Sequence, residues 1–141
     1  MQAPRIDHIG ILVENLDAAA ASMAGILKGA PQRRRSLPDA GLEVVEFVTA
    51  NVIVELLAYT DKGDGFGRAV MGSQMGVNHL SLGVSDLDAA LAALRANGVE
   101  PAPGFPRAGA HGRIAFLPRE PHTGLLFELC QSAPHEGHDE T

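Results

Sequence analysis

Four residues of this chain have types and spacing that could hold a metal ion: His8, Glu55, His79 and Glu128. The two histidines lie 71 positions apart and the two glutamates 73. Each sits in an apolar run, as in Ile6-Asp7-His8-Ile9-Gly10-Ile11, Val54-Glu55-Leu56-Leu57, Val77-Asn78-His79-Leu80 and Phe127-Glu128-Leu129-Cys130. A lone histidine in such a strand is ordinarily a hydrogen-bonded core residue, and a lone glutamate can face solvent. Here both glutamates have apolar neighbours on either side, and an unpaired carboxylate buried there is costly. A divalent cation would neutralise both carboxylates and satisfy both imidazoles. A set of two nitrogens and two carboxylates, with no thiolate, suits cobalt, manganese, nickel, zinc or magnesium over copper(I). On a six-coordinate ion it leaves two positions for a substrate that chelates through two oxygens.

The elements that must carry these residues repeat as well. Leu16-Asp17-Ala18-Ala19 returns as Leu87-Asp88-Ala89-Ala90, again 71 positions on, so the chain is an internal duplication. In the first copy the apolar run predicts a strand over 6–13. Asn15 caps a helix that runs to about Lys28, with Gly29 as its stop. Residues 30–40 read as mostly loop or weak strand, and strands follow over 42–49 and 52–59. In the second copy a strand begins at Val77, Asp86 caps a helix that ends at Gly98, and residues 101–112 read as loop with edge-strand character. Strands are predicted over 113–117 and 125–131. The expected fold is α+β: two tandem βαβββ modules, 5–60 and 77–131, forming a curled mixed sheet around a metal site. A glycine-rich connection over 61–76, with a helical turn near Arg68 to Met71, and a flexible tail over 132–141 complete the expectation. In such a sheet the first and last strand of each module bring their equivalent residues to a common centre.

Composition narrows the partners. A formal charge of −6 argues against nucleic acid, whose phosphates need a basic face. Arg33-Arg34-Arg35 is the one basic run, either a solvated loop or a contact for an anionic substrate tail. One cysteine permits no intramolecular disulfide and suits a reducing compartment. No apolar run approaches the ~20 residues of a membrane span, and no leader precedes the first strand, so a cytoplasmic protein without a membrane partner is expected.

At the four candidate ligands the chain resembles the vicinal oxygen chelate superfamily, and within it most closely the methylmalonyl-CoA epimerases. The resemblance extends from Arg5 to Gln131. It rests on the four runs above, on Phe105-Pro106-Arg107-Ala108-Gly109-Ala110-His111-Gly112-Arg113-Ile114-Ala115-Phe116-Leu117-Pro118, and on Gly124-Leu125-Leu126-Phe127-Glu128-Leu129. It implies a metal-dependent epimerase of (2R)- and (2S)-methylmalonyl-CoA or a related acyl thioester. In that reaction a metal-stabilised enolate forms between two proton-transfer groups. Glu128 is then both a ligand and one base. The other maps to the turn Leu37-Pro38-Asp39-Ala40-Gly41, where Asp39 stands in place of the family's glutamate, one methylene shorter. Glu43 and Glu46 are the alternatives for that second base, expected to point outward from an edge strand. Arg107 and His111 are implied as substrate contacts, and a homodimer is expected by analogy of fold. The epimerases carry a second histidine before the ligand histidine, and this chain has Asn78.

Rival readings share the fold. A glyoxalase I-type lyase uses the same ligand set, but its usual Asp-Pro-Asp-Gly turn is Glu120-Pro121-His122-Thr123-Gly124 here. An extradiol dioxygenase uses three ligands, and Glu55 would block the position that oxygen needs. A non-catalytic small-molecule binding protein would not need the quartet. Cys130 reads as a small buried hydrophobe beside the site, and His122, His135 and His138 are assigned no role.

Overall fold

A computed structural model describes residues 4–60, 65–110 and 112–132. The first half comprises β1 (Arg5–Leu12), α1 (Leu16–Leu27), β2 (Arg33–Leu37), β3 (Leu42–Val48) and β4 (Ile53–Tyr59). The short helix α2 (Phe66–Met71) follows. The second half comprises β5 (Gly76–Gly83), α3 (Leu87–Ala96), β6 (Arg107–Gly109), β7 (Gly112–Phe116) and β8 (Leu126–Ser132). All eight strands join one curled mixed sheet in the order β2-β3-β4-β1-β5-β8-β7-β6. The order is symmetrical: β1 pairs with β4 in parallel, β5 pairs with β8 in parallel, and β1 meets β5 antiparallel at the centre. The four central strands are therefore the first and last of each half, the ones expected to carry the site. Among the described residues no helix is long and apolar enough to cross a membrane.

Duplicated caps start the two long helices. Asn15 Oδ1 accepts the Ala18 N–H at 2.9 Å and Asp86 Oδ1 accepts the Ala89 N–H at 3.0 Å. α1 stops one residue earlier than its glycine suggests. Lys28, not Gly29, takes the left-handed conformation at φ 58°, and the Gly29 N–H returns to the Ala24 carbonyl.

Strand alternation sorts the apolar side chains onto two faces. Leu56 and Ala58 of β4 meet Leu16 of α1 together with Val45 and Phe47 of β3. Leu129 of β8 and Ala115 of β7 meet Leu87 and Leu91 of α3. The opposite, concave face gathers Leu12, Leu42, Val44, Leu57, Met71, Ile114, Phe116, Leu126 and Cys130. Glu55 precedes Leu57 by two residues and Glu128 precedes Cys130 by two, so both carboxylates share that concave face.

Two segments differ from expectation. Residues 33–37, polar and arginine-rich, form a regular strand at the edge of the sheet, paired along β3 from Arg33↔Glu46 to Leu37↔Leu42. β3 is therefore an interior strand, which corrects the outward edge-strand reading of Glu43 and Glu46. Glu43 does face outward, accepting from Ser36 Oγ at 2.6 Å with Arg34 Nε at 3.6 Å. Glu46 turns inward and is only 2% exposed. The curl is strong enough for the two edges to touch. Arg35 of edge strand β2 donates to the Ala110 carbonyl beyond edge strand β6 at 2.5 Å. Of the basic run, Arg34 pairs with Asp17 and Arg35 makes this closing contact.

Candidate metal site and cavity

The central strands place the four candidate ligands in register. Gly10 of β1 lies opposite Glu55 of β4 on one side and His79 of β5 on the other, while Glu128 of β8 pairs with Ser81 of β5. All four residues are at most 4% exposed. One donor atom each from His8, Glu55 and His79 lie within 4.8 Å of one another. Glu128 joins them, its Oε1 3.1 Å from His8 Nε2, and Glu55 Oε1 is 3.6 Å from the same nitrogen. Three of the four candidate residues thus meet at metal-ligand spacing, and Glu128 adjoins them through His8.

Each histidine is oriented by the residue just before it. Asp7 Oδ2 lies 2.9 Å from His8 Nδ1, and Asn78 Oδ1 lies 2.9 Å from His79 Nδ1. An amide oxygen only accepts, so His79 carries its proton on Nδ1 and presents the Nε2 lone pair to the cluster. The Asn78 amide nitrogen in turn donates to the Met71 carbonyl at 3.0 Å, tying His79 to the end of α2. A carboxylate or amide behind a ligating imidazole is the usual arrangement for fixing its tautomer. Positions 7 and 78 obey the same 71-residue spacing as the two histidines, so the duplication itself is the signal for these supporting residues.

The electrostatics suit a cation. Burial opposes charge on His8, but its contacts with Asp7 and Glu128 and the charge of Glu55 outweigh that and raise its pKa to about 11. Burial holds His79 below the ordinary imidazole value. Burial alone would raise the Glu128 carboxyl, but the His8 imidazolium beside it holds it below the usual carboxylate range. Despite that proximity Glu128 Oε1 receives no well-aligned hydrogen bond, a buried acceptor that a metal ion would satisfy. Burial, with the Glu128 charge, pushes the Cys130 thiol up to about 12, so it stays a thiol. The donor set is thus nitrogen and oxygen only, and it fits a divalent cation.

A proton prediction follows from His8. A cation entering the site must displace the proton that His8 holds in the metal-free protein. Cobalt uptake near pH 7 is therefore expected to release about one proton, with affinity rising about tenfold per pH unit; titration in weak and strong buffers measures both. The metal-free fold gives the complementary sign. With a folded-state value above 6.5, the His8 contribution to stability is complete below pH 6.5 and is lost as pH rises through about 11.

The quartet lines a cavity of about 240 Å³. Its wall is mainly apolar, with Leu37, Leu42, Leu57, Val70, Ile114 and Phe116 among the lining residues. Asp39 also lines it, on the turn between β2 and β3. That turn is docked on α2: the Phe66 N–H donates to the Asp39 carbonyl at 3.1 Å and the Gly67 N–H to the Ala40 carbonyl at 3.0 Å. Gly65 permits the approach, since a Cβ there would lie 2.0 Å from the Ala40 carbonyl carbon. Arg107 flanks the cavity, with its guanidinium 3.9 Å from the Phe66 ring centroid, and its neighbours Ala108 to Ala110 are in the wall. His111 lies outside the described residues.

A family model for the glyoxalase/bleomycin resistance protein/dioxygenase superfamily matches residues 7–116. The chain belongs to that superfamily. It is 34% identical over 133 residues to the ethylmalonyl-CoA/methylmalonyl-CoA epimerase of Cereibacter sphaeroides, across 90% of this chain and 97% of the relative. Its structure matches that of methylmalonyl-CoA epimerase from Mycobacterium tuberculosis with a TM-score of 0.79 at 28% identity, over 95% of this chain and 94% of the other. It also matches a variant of Streptomyces coelicolor methylmalonyl-CoA epimerase in complex with 2-nitronate-propionyl-CoA, with a TM-score of 0.78 at 29% identity, covering 94% and 96% of the two chains.

Proposed function

We propose that this superfamily member is a metal-dependent epimerase of methylmalonyl-CoA or a closely related acyl thioester. One observation carries the reading: two imidazoles and two carboxylates gather in the wall of a mainly apolar cavity that also holds another carboxylate, Asp39. The epimerase names of the relatives give the substrate class. His8, Glu55, His79 and Glu128 would hold the ion, with cobalt preferred and manganese, nickel, zinc or magnesium as alternatives.

When bound, the divalent ion supplies positive charge for two substrate oxygens as the α-carbon becomes acidic. Asp7 and Asn78 keep the two imidazoles in the tautomer that offers Nε2. Glu128 removes the α-proton from one face, and Asp39, carried by a separate turn, delivers a proton to the other. Inversion requires two such groups, because a single one returns the proton to the face it left. The apolar wall excludes water from the carbanionic carbon and accommodates its alkyl branch. Arg107 and His111 are assigned to the substrate's carboxylate or thioester. The active species is taken to be a cytoplasmic homodimer.

The test is solvent deuterium exchange into the separate epimers of methylmalonyl-CoA, followed by mass spectrometry, on cobalt-loaded protein. Exchange accompanied by interconversion of the epimers is expected. A protein that holds cobalt yet exchanges neither epimer would refute the substrate assignment and direct attention to glutathione hemithioacetals.

A further inference from the structure

We infer that Gly10 is a positioning residue, whose missing side chain is the slot in which the His79 imidazole lies. Gly10 is the β1 residue between Glu55 of β4 and His79 of β5, with a candidate ligand as its neighbour on each side. A Cβ built on Gly10 would lie 2.2 Å from His79 Cε1, 2.5 Å from Nε2 and 2.7 Å from Nδ1. No real Cβ sits that close to ring atoms, so the ring would have to leave its place.

The usual reason for a glycine does not apply here. Gly10 has no left-handed φ, unlike Gly41 or Gly72, so its backbone would accept alanine without strain. A glycine inside a strand otherwise marks a close approach of another group, and here that group is the imidazole.

The ring has little freedom to move aside. Asn78 fixes Nδ1 from one direction, at 2.9 Å. The Phe116 ring stands against it at a centroid distance of 5.2 Å and an interplanar angle of 81°, and the His8 ring at 5.5 Å and 85°. His79 is 2% exposed. A methyl group at position 10 would therefore displace Nε2 from the cluster rather than push the ring into solvent. The inference rests on the reading of His79 as a metal ligand, but the contact itself does not.

Two measurements test it. The first is cobalt binding to Gly10→Ala, read as affinity and as the visible absorption of the bound ion. Affinity is expected to fall about ten- to hundredfold, as when a group supporting a ligand is lost, with a changed spectrum. Wild-type affinity and spectrum would overturn the inference. The second is a double-mutant cycle on the thermal midpoint of the metal-free protein, with Gly10→Ala made alone and together with His79→Ala. The midpoint should fall when His79 is present and stay level or rise when it is absent, because alanine suits a strand better than glycine. A fold lost in the single variant and recovered in the double is the same result in stronger form. An equal fall, or loss of the fold, in both backgrounds would overturn the slot. Should wild-type protein take up no cobalt, the metal reading fails, and the cycle alone decides whether Gly10 makes room for the ring.

Discussion

His79→Ala protein is expected to lose its metal on gel filtration and to show no epimerisation above background. The size of the effect comes from how the cluster is built. Of the two candidate histidines, His79 is the one held neutral by its surroundings, since burial disfavours its charge and Asn78 takes the Nδ1 proton into a hydrogen bond. It therefore offers a lone pair at neutral pH without first releasing a proton, whereas His8 must surrender one. Without it, three candidate donors remain, and one of them, His8, is protonated. The carboxylates and His8 can still pair with one another, so the metal-free fold survives the substitution. Metal analysis together with the thermal midpoint separates the two effects. A His79→Ala variant that keeps full cobalt occupancy would remove His79 from the site.

The duplication explains why so much of this arrangement could be read from residue types alone. Spacings of 71 and 73 mark the candidate ligands, the helix caps and the order of elements, because each half repeats one local solution. The symmetrical strand order then brings the four marked strands together at the centre. What the sequence concealed has physical causes. β2 is polar and rich in arginine because it is an edge strand, with one side open to solvent, so it lacks the apolar pattern that reveals a strand. Nothing in the sequence marks Glu46 as inward, because alternation fails along Leu42-Glu43-Val44-Val45-Glu46-Phe47. Both faces of that strand are covered, by α1 on one side and by the concave core on the other. The slot at Gly10 is invisible to spacing, since the residue that needs it lies on another strand.

Asp39→Asn is expected to lower epimerisation by about a hundred- to ten-thousandfold, the usual range for removing a general acid or base, while cobalt stays bound. Asn has nearly the same shape as Asp but cannot take up or deliver the proton, so the variant isolates proton transfer from packing. The turn should keep its place, because what fixes it is backbone bonding to α2 through the Phe66 and Gly67 N–H groups. Exchange of the α-proton with solvent distinguishes the two bases. With Glu128 intact, one epimer should still exchange its proton with retention, whereas conversion to the other epimer stops. Glu46→Gln is the informative comparison. Glu46 faces Glu55 across the β3–β4 pair and is buried, yet the cavity wall is formed by Asp39. A proton-transfer group must reach the substrate carbon to within a few tenths of an ångström of its working position, which favours the residue already in the wall. If Asp39→Asn epimerises at the wild-type rate and Glu46→Gln does not, the second proton passes through Glu46. The shorter aspartate would then be a feature of the turn rather than of the reaction.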